Sequence, residues 1–242
     1  MLADMHPPID SKRPEDAALR RPSPEGIEES GKATFPQELI LRDPGESLSR
    51  LRAQWRGRGE RWIFGYASLI WRPEFAAAEQ RPAVVHGWHR ALEMASNINR
   101  GTPQCHGLVF ALVSGGSCRG VAYRIERQRA AAELTRLWQR EMPTGVYDPK
   151  WLSCSTAQGR ISGLAFTLSR SSPSFTGRLP DDALIDILRS ASGRFGSTLD
   201  YLLETSASLA RCGIRDREIE RLVALARGHG LCGGAVSAAA SP

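Results

Sequence analysis

Arg61-Trp62-Ile63-Phe64-Gly65-Tyr66-Ala67-Ser68-Leu69-Ile70-Trp71-Arg72-Pro73-Glu74-Phe75 is the stretch from which the rest of the chain is read. Trp62, Ile63 and Phe64 make a short apolar run with the composition of a buried strand. Gly65-Tyr66-Ala67-Ser68 then breaks that run with small and hydroxyl-bearing residues, before Leu69-Ile70-Trp71. A break of this kind exposes the backbone at a turn, where consecutive N–H groups can form a concave site for a carboxylate or phosphate. A plain strand end fits the same residues, so both readings stay open at this level.

Outward from that stretch, strands dominate the middle of the chain and helices the end. Val84, Val85, Trp88, Leu92 and Met94 fall in a segment that reads as extended and half buried. Strand-like runs over 107–113 and 121–125 flank Ser114-Gly115-Gly116-Ser117, whose paired glycines predict a tight hairpin turn with positive φ. Runs over 151–156 and 161–168 flank Ala157-Gln158-Gly159-Arg160 in the same manner, so the middle of the chain predicts an antiparallel sheet or small barrel.

Leu48, Leu51 and Trp55 recur at helical spacing after Asp43-Pro44, a helix-start signal. A second helix is expected over 127–142, stopping before Pro143 because proline disfavours helix in the residue before it. Three more are expected: from Asp181 or Asp182 to near Gly193, from Ser197 to Gly213, and from an Asp216 cap to Gly228. The class is therefore α+β. Residues 1–40 are rich in Pro, Glu, Arg and Ser without apolar period and predict a disordered extension. The domain is expected over 41–230, with a loose Gly-, Ala- and Ser-rich tail over 231–242.

With 41% hydrophobic and 24% charged residues, the chain can fill one ordinary core, which excludes wholesale disorder. Neither an apolar run of membrane-spanning length nor a signal-peptide pattern is present, so the expected location is cytoplasmic, with no membrane partner. The net charge of +6 raises the question of nucleic acid. The arginines are dispersed, however, and no basic cluster interleaved with aromatics occurs, so a nucleic-acid partner is not expected; a positive field would instead favour a small anionic substrate. Cys105, Cys118, Cys154, Cys212 and Cys232 lack a Cys-x-x-Cys pair and read as reduced structural thiols. His86, His89 and His106 have no spacing that demands a shared metal, and none is expected.

One acid stands apart. Leu134, Trp138 and Glu141 fall at i, i+4 and i+7 of the helix over 127–142, which puts the Glu141 carboxylate on the apolar side. Burial and the negative end of the helix dipole both raise a carboxyl pKa there, a direction suited to a general base. An ion pair with Arg140 at the helix end explains the same position equally well.

The run from Phe64 to Pro73 resembles the signature loop of the ChaC-type gamma-glutamylcyclotransferases, in which the order is Phe-Gly-Tyr-Gly-Ser-Leu. The resemblance continues through Asn99-Arg100-Gly101-Thr102-Pro103, Gly115-Gly116-Ser117-Cys118-Arg119-Gly120, Arg140-Glu141-Met142 and Thr198-Leu199-Asp200-Tyr201-Leu202, covering residues 60–230 in outline. It implies a small, mainly antiparallel β-barrel flanked by helices, with a helical C-terminal part. It also implies cleavage of glutathione to 5-oxoproline and cysteinylglycine without metal or redox cofactor. Residue by residue, it implies that Glu141 is the catalytic acid/base and that Phe64, Gly65, Tyr66, Ala67, Ser68 and Leu69 form the substrate loop. Arg72, Tyr147 and Tyr201 lie in matching segments and read either as pocket lining or as braces of the fold.

Ala67 departs from the family pattern, where glycine is usual. If the position needs positive φ, a side chain there costs about 1–2 kcal/mol. If it needs only close ligand approach, the methyl narrows the pocket. The departure leaves two alternatives to glutathione cleavage: a cyclotransferase for another γ-glutamyl peptide or amine, or a γ-glutamyl-binding module without turnover. Oligomeric state is not encoded in any pattern found.

Overall fold

The computed structural model describes residues 42–55 and 61–232. The extension expected over 1–40, and the expected tail beyond residue 232, lie outside the described residues. Helix α1 (Pro44–Trp55) starts where Asp43 Oδ1 accepts from the N–H groups of Gly45 and Glu46 at 2.6 and 3.2 Å, and it buries Leu51 and Trp55.

Five strands close into a barrel: β1 (Arg61–Gly65), β2 (Glu79–Ser96), β3 (Gly107–Ile125), β4 (Asp148–Thr156) and β5 (Gly159–Thr167), in the order β1-β3-β2-β4-β5. Most neighbours are antiparallel. The seam that closes the barrel is parallel, with Trp62 opposite Gly163 and Ile63 opposite Leu164, and β3 also meets β5 in parallel at Leu112 and Thr167. Strand β1 thus pairs through all five residues with β3 on one edge and through Trp62 and Ile63 with β5 on the other. Ile63, Phe64, Leu112, Leu164 and Phe166 are fully buried in the core. Strand β3 is buried along both faces over 107–113, because a C-terminal helix covers its outer side.

The glycines at 115 and 116 do not reverse the chain as expected. Strand β3 runs through them without interruption, at φ of 105° and 68°, and pairs with β2 from Gly107 to Arg124. The register slips between His86 opposite Ser117 and Trp88 opposite Ser114, one residue more on β3 than on β2. Positive φ serves a bulge as readily as a turn, and only the partner strand decides which. The hairpin expected around Ala157-Gln158 is present as β4 and β5. Beyond the break after β1, Ser68–Trp71 is a single helical turn, α2.

Helix α3 (Ala130–Glu141) begins three residues later than the expected start and lies across the barrel, Trp138 stacking edge-on against Phe166 at 5.8 Å. Its indole N–H donates to Pro44 O at 2.7 Å, which ties α3 to α1. Helix α4 (Asp181–Ser190) ends short of Gly193, and a small hairpin, β6 (Ser192–Gly193) with β7 (Gly196–Ser197), follows it. Helix α5 (Thr198–Arg211) opens with a capping box of Ser197 and Asp200, and α6 (Arg217–Gly228) is capped by Asp216 as expected. Helix α5 packs on the outer face of β3 and presses Tyr201, Leu202 and Leu209 into the core.

Close approach of backbones fixes the barrel end that matters most. A Cβ at Gly120 would lie 2.3 Å from Gly65 O and 2.7 Å from the Phe64 ring. Gly120→Ala should therefore destabilise the fold by about 1–3 kcal/mol. Gly228→Ala, with open space around its Cβ, should be neutral or stabilise by up to about 1 kcal/mol. Chemical denaturation of the two variants beside the parent chain checks the contrast.

Candidate active site

The chain leaves β1 at Gly65, where a Cβ would sit 3.0 Å from the Tyr123 ring and 3.1 Å from Leu69 Cβ, so only glycine fits comfortably. Tyr66 and Ala67 turn the backbone into α2, whose bonds Ile70 N to Ala67 O and Arg72 N to Ser68 O are both 2.8 Å. The amides of Ser68 and Leu69 open that turn and have no intrahelical acceptor. From behind, Arg90 fixes the loop: its Nε donates to Tyr66 O, its Nη2 donates to Arg119 O at 2.5 Å and its Nη1 pairs with Asp216. The Arg90 side chain is 1% exposed, so this guanidinium is satisfied wholly by protein.

Ala67 has φ of −143°, outside the left-handed region, so the usual glycine is not there to supply positive φ. What remains is space. The Ala67 methyl lines a narrow cavity of about 20 Å3 together with Tyr66, Ser68, Leu69, Glu141 and a wall of aromatic rings.

Glu141 reaches that cavity from the last turn of α3. Leu134, Leu137 and Trp138 bury the apolar stripe of the helix, and the same stripe carries the carboxylate inward until its side chain is 13% exposed. Burial raises its pKa above the ordinary carboxylate value, and the Arg140 guanidinium pulls the other way. The two alternatives left open by the sequence are both present: the acid is buried and it is paired. Arg140 Nε lies 2.9 Å from Glu141 Oε1, while Arg140 Nη2 donates to Ser68 Oγ at 2.9 Å and Nη1 lies 3.5 Å from Glu74 and donates to Arg72 O. One guanidinium thus spans the 65–69 loop and the acid.

The remaining wall is phenolic and apolar. Tyr66 donates its hydroxyl to Phe166 O at 3.0 Å, and Tyr201 packs against Phe110 at 5.7 Å with Arg100 over its ring at 5.0 Å. Burial holds Tyr66, Tyr147 and Tyr201 above the ordinary phenol value, and the nearby Glu141 charge adds to the rise in all three. All three therefore stay protonated at neutral pH; the Tyr66 hydrogen is spent on Phe166 O, which leaves Tyr147 and Tyr201 as phenols facing the cavity. Glu141 is the one carboxylate in the lining.

Of the residues singled out in the sequence, the fold brings together Tyr66, Ala67, Ser68, Leu69, Glu141, Tyr147 and Tyr201. Phe64 and Gly65 stand outside the lining: Phe64 is fully buried against the barrel core and Gly65 is pressed on Gly120. Arg72 contributes its carbonyl to Arg140 rather than its side chain to the cavity. Phe110 and Phe166 join the wall without having been expected there; each is one more apolar residue of a strand, and no local signal sets it apart. Among the described residues no group of three His, Cys, Asp or Glu side chains could hold a metal ion, and no helix is long and apolar enough to cross a membrane. Burial pushes the Cys118 and Cys154 thiols up to about 11, away from reactivity.

The pattern of the family described as ChaC-like protein matches residues 61–228. An Escherichia coli protein named glutathione-specific gamma-glutamylcyclotransferase is 34% identical over 166 residues, 68% of this chain and 72% of that one. The Homo sapiens glutathione-specific gamma-glutamylcyclotransferase 1 is 30% identical over 169 residues, 68% of this chain and 76% of that one. In fold, the chain is similar to the crystal structure of the yeast gamma-glutamyl cyclotransferase specific to glutathione. The TM-score is 0.65 at 19% identity, covering 71% of this chain and 97% of the other. With a family pattern spanning the whole barrel and helices α2 to α6, the chain belongs to the ChaC-like family.

Proposed function

We propose that this chain is a glutathione-specific gamma-glutamylcyclotransferase, releasing 5-oxoproline and cysteinylglycine, with Glu141 as its acid/base. The observation that carries the residue assignment is the placement of one buried carboxylate, Glu141, against the 65–69 loop in a cavity whose other titratable groups are neutral phenols. The relatives named for glutathione support the substrate. On this reading the domain is 41–230, the flanking 1–40 and 231–242 take no part in chemistry, and the cytoplasm, which keeps thiols reduced, is the working compartment.

The reaction is an intramolecular acyl transfer. The α-amine of the γ-glutamyl unit attacks its own γ-carbonyl carbon, a five-membered ring closes, and the bond to the cysteinyl nitrogen breaks. No water is consumed. An α-amine with a pKa of roughly 8 is mostly protonated at neutral pH, so a base must remove a proton before attack. Glu141 accepts that proton and returns one to the departing nitrogen. Its raised pKa brings it nearer to the amine than an exposed glutamate would be, while Arg140 keeps it ionised enough to act.

Holding the γ-glutamyl chain folded is the larger part of the task, since fixed geometry can replace about 7 kcal/mol or more of activation entropy. The opening amides of α2 and the Ser68 hydroxyl suit the substrate α-carboxylate. Ser68 Oγ already accepts from Arg140, which leaves its hydrogen free to donate outward. The phenols of Tyr147 and Tyr201 supply further donors for the reacting carbonyl, while Tyr66, whose hydrogen goes to Phe166 O, can accept from the substrate amine.

Purified chain incubated with reduced glutathione should yield 5-oxoproline and cysteinylglycine in equal amounts. Glu141→Gln should lower kcat by about 10²–10⁴ while melting as a folded protein; an active, folded Glu141→Gln would remove the acid/base assignment. The acid limb of kcat/KM reports deprotonation of Glu141, so activity falls as pH drops through a pKa that burial holds above the ordinary carboxylate value. Arg140→Met removes the group that lowers this pKa, and the limb should move to higher pH. Ala67→Gly should enlarge the pocket and lower KM for glutathione several-fold with no loss of stability, because Ala67 is the N-cap of α2, where glycine is favoured over alanine; steady-state kinetics with denaturation curves measure both.

A further inference from the structure

A larger cleft of about 480 Å3 shares none of its lining with the Glu141 cavity. It is built where β2 near His89, β3 at Ser117 and Arg119, the approach to α4 and the start of α6 come together. Six arginines line it against three carboxylates. Three of the arginines are committed: Arg90 to Asp216 and two carbonyls, Arg215 to Glu220 at 2.9 Å, and Arg221 to Glu218 and Asp181 at 2.8 Å each.

Arg119, Arg178 and Arg217 make no side-chain hydrogen bond, ion pair or ring contact among the described residues. Asp216 and Glu218 are spent on Arg90 and Arg221, which leaves Glu93 as the single uncommitted carboxylate of the lining. The uncommitted charge is therefore three guanidiniums against one acid, inside a concavity that focuses the field. Two of the three stand on fixed backbone. The Arg119 carbonyl is held by Arg90, and Arg217 begins a helix whose Glu218 and Ile219 amides both donate to Asp216 Oδ1 at 3.1 Å. Those amides are taken, so the side chains, not the helix end, are the donors on offer.

We propose that this cleft is a second binding site, for a small phosphate-bearing polyanion of the di- or triphosphate class, held by Arg119, Arg178 and Arg217. Guanidinium forks match phosphate oxygens two at a time, and several of them on one ligand outweigh the single exposed pair that a monocarboxylate would make. The volume lies within the range of small-ligand sites.

The test is calorimetric titration of the full chain with inorganic triphosphate at constant ionic strength, without glutathione, so that its result does not depend on turnover. One saturable site is expected, unchanged in Glu141→Gln. R119Q/R178Q/R217Q should weaken binding at least ten-fold while leaving glutathione turnover and melting unaltered. R127Q/R160Q/R227Q, which removes the same charge outside the cleft, should leave affinity within two-fold. Absence of saturable binding at millimolar triphosphate overturns the proposal. So does equal loss in the two triple variants, which would mean a diffuse field, or loss in Glu141→Gln, which would place the anion in the other cavity. Citrate binding as tightly as triphosphate would overturn the phosphate class.

Discussion

Everything else in the domain is arranged around a strand of five residues that must hydrogen-bond on both edges. Strand β1 closes the barrel, and a closed barrel has no free edge to fray or to recruit another chain. Closure also demands that backbones approach closely where β1 meets its neighbours. Gly120 supplies the room: a side chain there would strike Gly65 O at 2.3 Å, while Gly163, opposite Trp62 on the other edge, makes room for Cys154 Sγ of β4 at 2.9 Å. Once β1 is seated, the direction in which the chain leaves it is fixed, and the 65–69 loop is delivered to one place at the barrel end.

The acid arrives there by an independent route. Helix α3 is held by its apolar stripe, with Trp138 wedged between Phe166 of the barrel and the start of α1. Burying Glu141 on that stripe is unfavourable in itself, because desolvation penalises the charged form. Arg140 offsets the penalty and, with the same guanidinium, reaches Ser68 and Arg72 O across the loop. Tuning of the acid and placement of the loop therefore rest on one side chain. A shift of α3 relative to the loop would carry Arg140 with Glu141 and break the bonds from Arg140 to Ser68 and Arg72 O, so those two bonds fix the acid against the loop.

Local chemistry is what the sequence makes legible. The caps at Ser197 with Asp200 and at Asp216 are readable because donor and acceptor lie within a few residues of each other. The apolar side of Glu141 is readable for the same reason, through its spacing from Leu134 and Trp138. The glycines at 115 and 116 mislead because the same positive φ suits a turn or a bulge, and the choice is made by β2, which pairs across them. Phe110 and Phe166 are silent because membership of the wall depends on how the barrel closes, not on any neighbour in the chain. The bond from Arg140 to Ser68 crosses 72 residues of sequence and leaves no local trace. The family resemblance supplies the pairing of loop and acid that periodicity could not.

Arg90 grips Tyr66, 24 residues before it, and Asp216, 126 residues after it. A ribosome making this chain releases the loop and α3 well before Asp216 exists. Until then the guanidinium behind the loop has no counter-ion, and a buried unpaired charge is too costly to keep. The loop therefore settles only when α6, with its Asp216 cap, docks, and the order of synthesis itself withholds a finished site from an unfinished chain. An incomplete polypeptide carries the residues of the site without the geometry that makes them act together.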